Sequence, residues 1–229
     1  MNRDPKNSSQ KAQVLIVDDH PILREGIVQL INQEKDLMVC GSAENASQAL
    51  ESIKKLQPDI AIVDLSLGGM HGIDLIKNIK VQYDKLPVLV LSMHDESLYA
   101  ERVLRAGARG YIMKHEATGK VLVAIRKVLN GKIYVSEKMA SMMIEKSISG
   151  PSEKTTSTID LLSDRELEVF HLIGKGLGTR QIAKELHLSV KTVETYREHI
   201  KYKMKFKTST EMVRHAIQWV ETESLGKHN

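Results

Sequence analysis

Pro58-Asp59-Ile60-Ala61-Ile62-Val63-Asp64 is the stretch on which the fold turns. Ile60 to Val63 form a short unbroken apolar run, rich in β-branched residues. Such a run reads as a strand buried on both faces, the usual appearance of a parallel sheet. Asp64 then stands where that strand emerges at its carboxyl end, and Gly68-Gly69 turn the chain. An earlier run, Val14-Leu15-Ile16-Val17, likewise ends in two acids, Asp18 and Asp19. Open α/β sheets bind ligands outside the carboxyl ends of their strands, where strand order reverses. Three carboxylates delivered there exceed what a solvated loop needs.

Outward from this stretch the pattern repeats. Apolar runs at 13–17, 38–43, 60–64, 87–92 and 110–113 predict strands, and amphipathic stretches at 20–34, 44–56, 72–82, 96–107 and 116–130 predict helices. Five βα repeats imply an α/β fold with a doubly wound, five-stranded parallel sheet and right-handed crossovers. A helical stretch at 136–147 leads out of this first domain, assigned to 12–132, and a Ser/Thr/Gly/Pro-rich run to 158 reads as flexible linker, the connection covering 133–157. The remaining domain, 158–222, has only helical periodicity. Ser163-x-x-Glu166 and Thr208-x-x-Glu211 are capping boxes, and Thr179 and Ser189 are further candidate caps.

The totals restrict the classes available. A chain of 229 residues, 41% hydrophobic and 27% charged, fits a globular protein of two domains. One cysteine, Cys40, excludes an internal disulfide and is expected to be a buried thiol. Residues 1–12 do not read as a signal peptide, and no apolar run approaches the ~20 residues that span a bilayer, so a cytoplasmic protein with no membrane partner is expected. Net charge is unevenly placed. Ten Lys/Arg face four Glu between Lys175 and His215, against seventeen Lys/Arg and sixteen acids between Lys11 and Lys138. A basic excess confined to the last domain points to a polyanionic partner for that domain alone.

A strand order of 2-1-3-4-5, flavodoxin-like, brings Asp18, Asp19, Asp64, Ser92 and Lys114 to one rim. Three crowded carboxylates repel unless a cation sits among them, and Mg²⁺ suits a site of one or two carboxylates that also bridges to phosphate oxygens. A carboxylate can act as nucleophile and form an acyl phosphate. Asp64, alone on its loop, is the candidate; Lys114 could neutralise a phosphoryl group and Ser92 donate a hydrogen bond to it. Taken singly, each residue has a plainer reading as a helix cap, a solvated lysine or a turn serine. Their coincidence at successive strand ends is the informative feature.

Val17-Asp18-Asp19-His20-Pro21, Val63-Asp64-Leu65-Ser66, Leu91-Ser92-Met93-His94 and Gly110-Tyr111-Ile112-Met113-Lys114 together resemble the receiver domain of bacterial two-component response regulators. The resemblance implies that Asp64 accepts a phosphoryl group from a sensor histidine kinase. It implies that Asp18, Asp19, Asp64 and the Ser66 backbone carbonyl hold Mg²⁺, that Ser92 and Tyr111 form a coupled switch in which Tyr111 swings inward, and that Lys114 partners the phosphate. Gly68 stands where the family usually has proline, and His115 where many receivers have proline.

In the last domain Val193, Tyr196, Ile200 and Met204 make one helical stripe, and Lys191, Glu194, Thr195, Glu198 and Tyr202 lie opposite, flanked by Arg197 and Lys201. A short helix, a tight turn at 187–189 and a longer helix with a mixed polar face constitute a helix-turn-helix unit that fits a major groove. Leu162-Ser163-Asp164-Arg165-Glu166-Leu167-Glu168, Gln181-Ile182-Ala183 and the run from Ser189 to Arg197 resemble the LuxR/NarL/FixJ-type DNA-binding domain. This resemblance implies that Glu194, Thr195 and Glu198 face bases, that Thr179, Arg180, Lys191, Thr192, Arg197 and Lys201 contact the DNA backbone, and that Met212, Val213, Ala216, Ile217 and Val220 mediate dimerisation. The expectation is therefore a non-enzymatic transcription factor for promoter DNA, forming a homodimer when phosphorylated. Two alternatives compete: a Mg²⁺-dependent phosphohydrolase, disfavoured because Ser66 stands where such enzymes place a second acid, and a protein-binding module without DNA affinity.

Overall fold

The computed structural model describes residues 11–67, 70–148 and 158–225. Gly68, Gly69 and most of the expected linker lie outside the described residues. The chain divides into two units, Met1–Ile148 and Ser149–Asn229.

The first unit alternates β1 (Ala12–Val17), α1 (Pro21–Asn32), β2 (Leu37–Ala43), α2 (Ala46–Leu56), β3 (Ile60–Val63), α3 (Gly72–Gln82), β4 (Val88–Ser92), α4 (Glu96–Ala106), β5 (Gly110–Met113) and α5 (Ala117–Leu129), followed by α6 (Glu137–Ile148). The sheet is parallel throughout, in the order β2-β1-β3-β4-β5. All four residues of β3 are buried, which is why it reads as an uninterrupted apolar run. Ile27 and Ile31 of α1 share a core with Val121, Ala124, Ile125 and Val128 of α5 on one face. Helices α2, α3 and α4 follow one another on the other.

Register positions the rim. Val17 pairs with Val63, so Asp18 and Asp64 leave the sheet side by side at the point where strand order reverses. Ser92 pairs with Met113, which places Lys114 next to the end of β4. Local chemistry sets the helix starts beyond this rim. Pro21 opens α1, Asn45 caps α2 by accepting from Gln48 N, and Asp95 caps α4 by accepting from Ser97 N. Gly107, at φ 115, closes α4 in a conformation suited to glycine.

Gly72, at the first position of α3, has a different constraint. A Cβ there would lie 2.3 Å from the Asp64 carbonyl oxygen and 2.5 Å from Leu65 Cα. At an exposed helix position Gly→Ala is favourable by ~0.5–1 kcal/mol. Here the neighbours are backbone, so Gly72→Ala is expected to cost about 1–3 kcal/mol through overpacking. Urea denaturation of wild type and variant checks the sign.

The chain after α5 returns to the sheet. Tyr134 forms a parallel bridge with Gly110, donating from its N–H to Arg109 O and accepting at its carbonyl from Tyr111 N. α6 then packs on α4, with Met139 buried, Ser136 N donating to Glu96 Oε1 (2.8 Å) and Lys146 Nζ 2.8 Å from Glu101 Oε2. The helix expected at 136–147 is thus held against the first unit. Cys40 is only partly buried, its thiol donating to Val14 O.

The second unit comprises a 3₁₀ turn (Thr158–Leu161), α7 (Asp164–Gly174), α8 (Thr179–Glu185), α9 (Val190–Lys203) and α10 (Ser209–Leu225). The Ser163/Glu166 capping box forms with both of its bonds. Ser189 caps α9 as expected, accepting from Thr192 N. Thr179 does not cap α8; the cap is Gly178, whose N–H is satisfied by Gln181 Oε1, and Thr179 opens the helix itself. His187, at φ 52, turns the chain between α8 and α9. Phe170 is the centre of this core, with Phe206 and Trp219 ring centroids at 6.4 and 5.5 Å.

Candidate functional site

The acids converge as the register requires. Ligand atoms of Asp18, Asp19, His20 and Asp64 all lie within 4.8 Å of one another. Lys114 Nζ bridges Asp64 Oδ2 at 2.7 Å and Asp18 Oδ2 at 2.8 Å, and all three side chains are buried. Burial pushes the Asp64 carboxyl above the usual carboxylate range; Lys114 pulls it back, and Asp18 beside it pushes it up again. Burial disfavours the Lys114 ammonium, but Asp64 and Asp18 outweigh this and hold the amine above its ordinary value.

Asp64 Oδ1 is buried with no hydrogen-bond partner among the described residues. A buried carboxylate oxygen left in that state is costly unless something else meets it. Closely set oxygens with an orphaned acceptor among them fit a hard dication that takes oxygen ligands. His20 was not anticipated as a member of this cluster, although it follows the two acids directly. Its Nδ1 is 2.7 Å from Asp19 Oδ1 and its N–H donates to Asp18 Oδ1 at 2.8 Å.

Ser66 and Ser92 face a second histidine. Ser66 Oγ lies 2.9 Å from His94 Nε2, and Ser92 Oγ accepts from His94 N at 3.2 Å. Tyr111 already points inward, fully buried, with its hydroxyl donating to His94 O at 2.7 Å, and burial holds the phenol well above its usual pKa. The inward position expected only after phosphorylation is therefore the one this structure has. Of the residues singled out from the sequence, Asp18, Asp19, Asp64 and Lys114 gather in one cluster, while Ser66, Ser92 and Tyr111 meet around His94.

The second candidate site is the face of α9 opposite its buried Val193 and Ile200. Lys191, Glu194, Thr195 and Glu198 are exposed, with Thr192, Arg197 and Lys201 partly so; Arg180 is exposed on α8 and Thr179 partly. The Thr195 hydroxyl donates to Lys191 O (3.0 Å), and Lys201 Nζ pairs with Glu198 Oε1 (2.8 Å). Behind the helix, Glu166 ties α7 to α9 through Lys203 Nζ at 2.6 Å. Burial acts to raise the Glu166 carboxyl, but Lys203 and the Ser163 bonds outweigh it and hold it below the usual range. This tie spans 37 positions and had no local signal in the sequence.

The dimerisation residues are divided by the fold. Met212 and Ala216 are fully buried within their own unit, and α10 packs on α7 so closely that a Cβ on Gly174 would meet Ala216 O at 2.4 Å and Val220 Cγ2 at 2.5 Å. An apolar stripe does not reveal whether it is covered within one copy or between two, and here the monomer claims most of it. Ile217 stays exposed and Val213 partly so.

Residues 14–126 match the response regulator receiver domain, and residues 160–216 match the bacterial regulatory proteins of the luxR family. The chain is 35% identical over 210 residues to the oxygen regulatory protein NreC of Staphylococcus aureus, covering 90% of this chain and 97% of that one. Among solved structures it is similar to RcsB from Salmonella enterica serovar Typhimurium bound to a promoter with a phosphomimetic (27% identity, TM-score 0.60, 90% of this chain and 98% of that chain). It is also similar to a LuxR-family two-component response regulator from Aurantimonas sp. (32% identity, TM-score 0.57, 61% and 99%).

Proposed function

Because the chain belongs to the response regulators that join a receiver domain to a LuxR-family DNA-binding domain, we propose that Asp64 is its phosphoacceptor and that its acyl phosphate controls binding of the C-terminal helices to promoter DNA. The observation that carries this reading is the convergence of Asp18 and Asp64 on Lys114, with Asp19 beside them, at the strand-order reversal. The donor is a sensor histidine kinase. An Asp64 carboxylate oxygen bonds to phosphorus as the P–N bond of the donor's phosphohistidine breaks, and the imidazole keeps the electron pair and takes up a proton. Asp18, Asp19 and Asp64, with the Ser66 carbonyl, would hold Mg²⁺, which when bound neutralises charge on the transferring phosphoryl oxygens. Lys114 leaves its carboxylate partners to meet the new phosphoryl oxygens, and Ser92 donates a hydrogen bond to them. Tyr111, already inward, has its hydroxyl seated on the loop that Ser92 begins, so a shift of Ser92 bears on that contact.

In the receiver assigned to 12–132 this chemistry is stoichiometric, and the protein is read as a regulator rather than an enzyme. The domain assigned to 158–222 binds DNA, with 133–157 as the connection. On α9, Glu194, Thr195 and Glu198 would face bases, while Lys191, Thr192, Arg197 and Lys201, with Thr179 and Arg180, would contact phosphates. Phosphorylated copies would pair, with Ile217 and Val213 as the α10 residues left to contribute. Among the described residues no helix is long and apolar enough to cross a membrane, which accords with a cytoplasmic regulator. RcsB, in complex with a promoter and a phosphomimetic, supports the same coupling here.

A titration of promoter duplex against the full chain, with and without a small acyl-phosphate donor, tests this reading. Affinity is expected to rise with the donor and to fall steeply with salt, by about 0.9 log units per log unit of salt for each phosphate neutralised. A flat salt response would return the C-terminal helices to a protein-binding role.

A further inference from the structure

We propose that Arg24 is the positioning residue of the cation site, clamping the turn that carries Asp18 and Asp19; the inference rests on reading those acids with Asp64 as that site. Arg24 touches no cluster carboxylate in hydrogen-bonding geometry. Its Nη1 donates to the Asp18 backbone carbonyl at 2.6 Å, and its Nη2 to Glu44 Oε1 at 2.8 Å. The Arg24 side chain is largely buried, 13% exposed, while Glu44 is at the surface.

The clamp completes a three-point hold on Asp18. His20 N–H fixes Oδ1 at 2.8 Å, Lys114 fixes Oδ2 at 2.8 Å, and Arg24 fixes the peptide carbonyl. Asp18 N also donates to Ala43 O, so the segment is held at both ends of its residue between β1 and β2. Glu44, which follows β2, is itself fixed where α2 begins, its N–H donating to Gln48 Oε1. Arg24 therefore ties α1, the β1–α1 turn and the β2–α2 turn into one unit through a planar two-headed donor that lysine cannot reproduce. A dication held by Asp18 and Asp19 requires those two acids at a fixed separation, and groups that orient metal ligands without touching the metal typically govern affinity by about 10–100-fold.

The alternative role for Arg24 is a plain positive charge near the acids, and the two roles predict opposite signs. Removing a cation from beside an acidic site strengthens attraction for Mg²⁺; removing a clamp weakens binding. Calorimetric titration of Mg²⁺ into the full chain separates them. Arg24→Ala is expected to weaken Mg²⁺ binding by about 10-fold, with Arg24→Lys, which keeps the charge but not the fork, falling between it and wild type. Denaturation midpoints in chelator are measured alongside, and if Arg24→Ala does not fold, Arg24→Lys decides. Mg²⁺ binding by either variant that equals or exceeds wild type would overturn the role of Arg24. Wild-type protein that takes up no Mg²⁺, or an Asp19→Asn variant that binds as wild type does, would instead remove the cation site itself.

Discussion

Asp64→Asn is expected to reduce labelling by a radioactive small acyl-phosphate donor to background. An amide oxygen at this position is a poor nucleophile, and no neighbouring carboxylate replaces it. Asp18 has both oxygens engaged, one by His20 N–H and one by Lys114, and Asp19 sits at the rim against His20. The same substitution leaves the Lys114–Asp18 pair in place and removes one of the crowded acids. Stability in chelator should therefore hold or rise, which separates loss of the acceptor from loss of the fold. Label persisting on Asp64→Asn would move the acceptor elsewhere, and label lost together with the fold would require Asp64→Ser as a second test. Promoter affinity of Asp64→Asn should no longer respond to the donor.

Lys114→Met should produce the largest stability change. Lys114 bridges Asp18 and Asp64 at 2.8 and 2.7 Å with its side chain 4% exposed. Removing one member of a buried ion pair leaves an uncompensated charge and typically costs 3–5 kcal/mol. The rim lets water or a proton reach the acids, so about 3 kcal/mol, the lower end of that range, is expected in chelator. Millimolar Mg²⁺ should return much of it, since a dication binding only the folded state neutralises the same carboxylates. Equal urea midpoints for wild type and variant in chelator would mean that the acids are not held apart from water as their burial indicates.

Much of this site was legible because strand ends are legible. The run Ile60–Val63 announces a strand buried on both faces, and once Asp18 and Asp64 end neighbouring strands the parallel register leaves them little freedom. Lys114 and Ser92 follow by the same reasoning. What escaped had no periodic signature. His20 joins the cluster through its own turn, and the Ser66–His94 contact joins two loops 28 positions apart. The α8 cap fell on Gly178 rather than Thr179, because a side chain that could cap does not establish which residue precedes the first turn. On α10, Met212 and Ala216 have the spacing of an interface yet are buried within their own unit. Periodicity reports that a stripe is buried, not by which copy.

The bridge between Tyr134 and Gly110, with α6 laid along α4, fixes where the chain leaves the first unit. Gly110 has no room for a side chain there, since a Cβ would stand 2.8 Å from Tyr134 O. The loop that opens α4 is the one on which the Tyr111 hydroxyl rests, and Tyr111 N holds Tyr134 directly. The segment that follows the sheet is therefore moored to Tyr111, the residue proposed for the switch. If the proposed phosphorylation moves His94 or α4, the backbone that Tyr111 shares with Tyr134 would move with it.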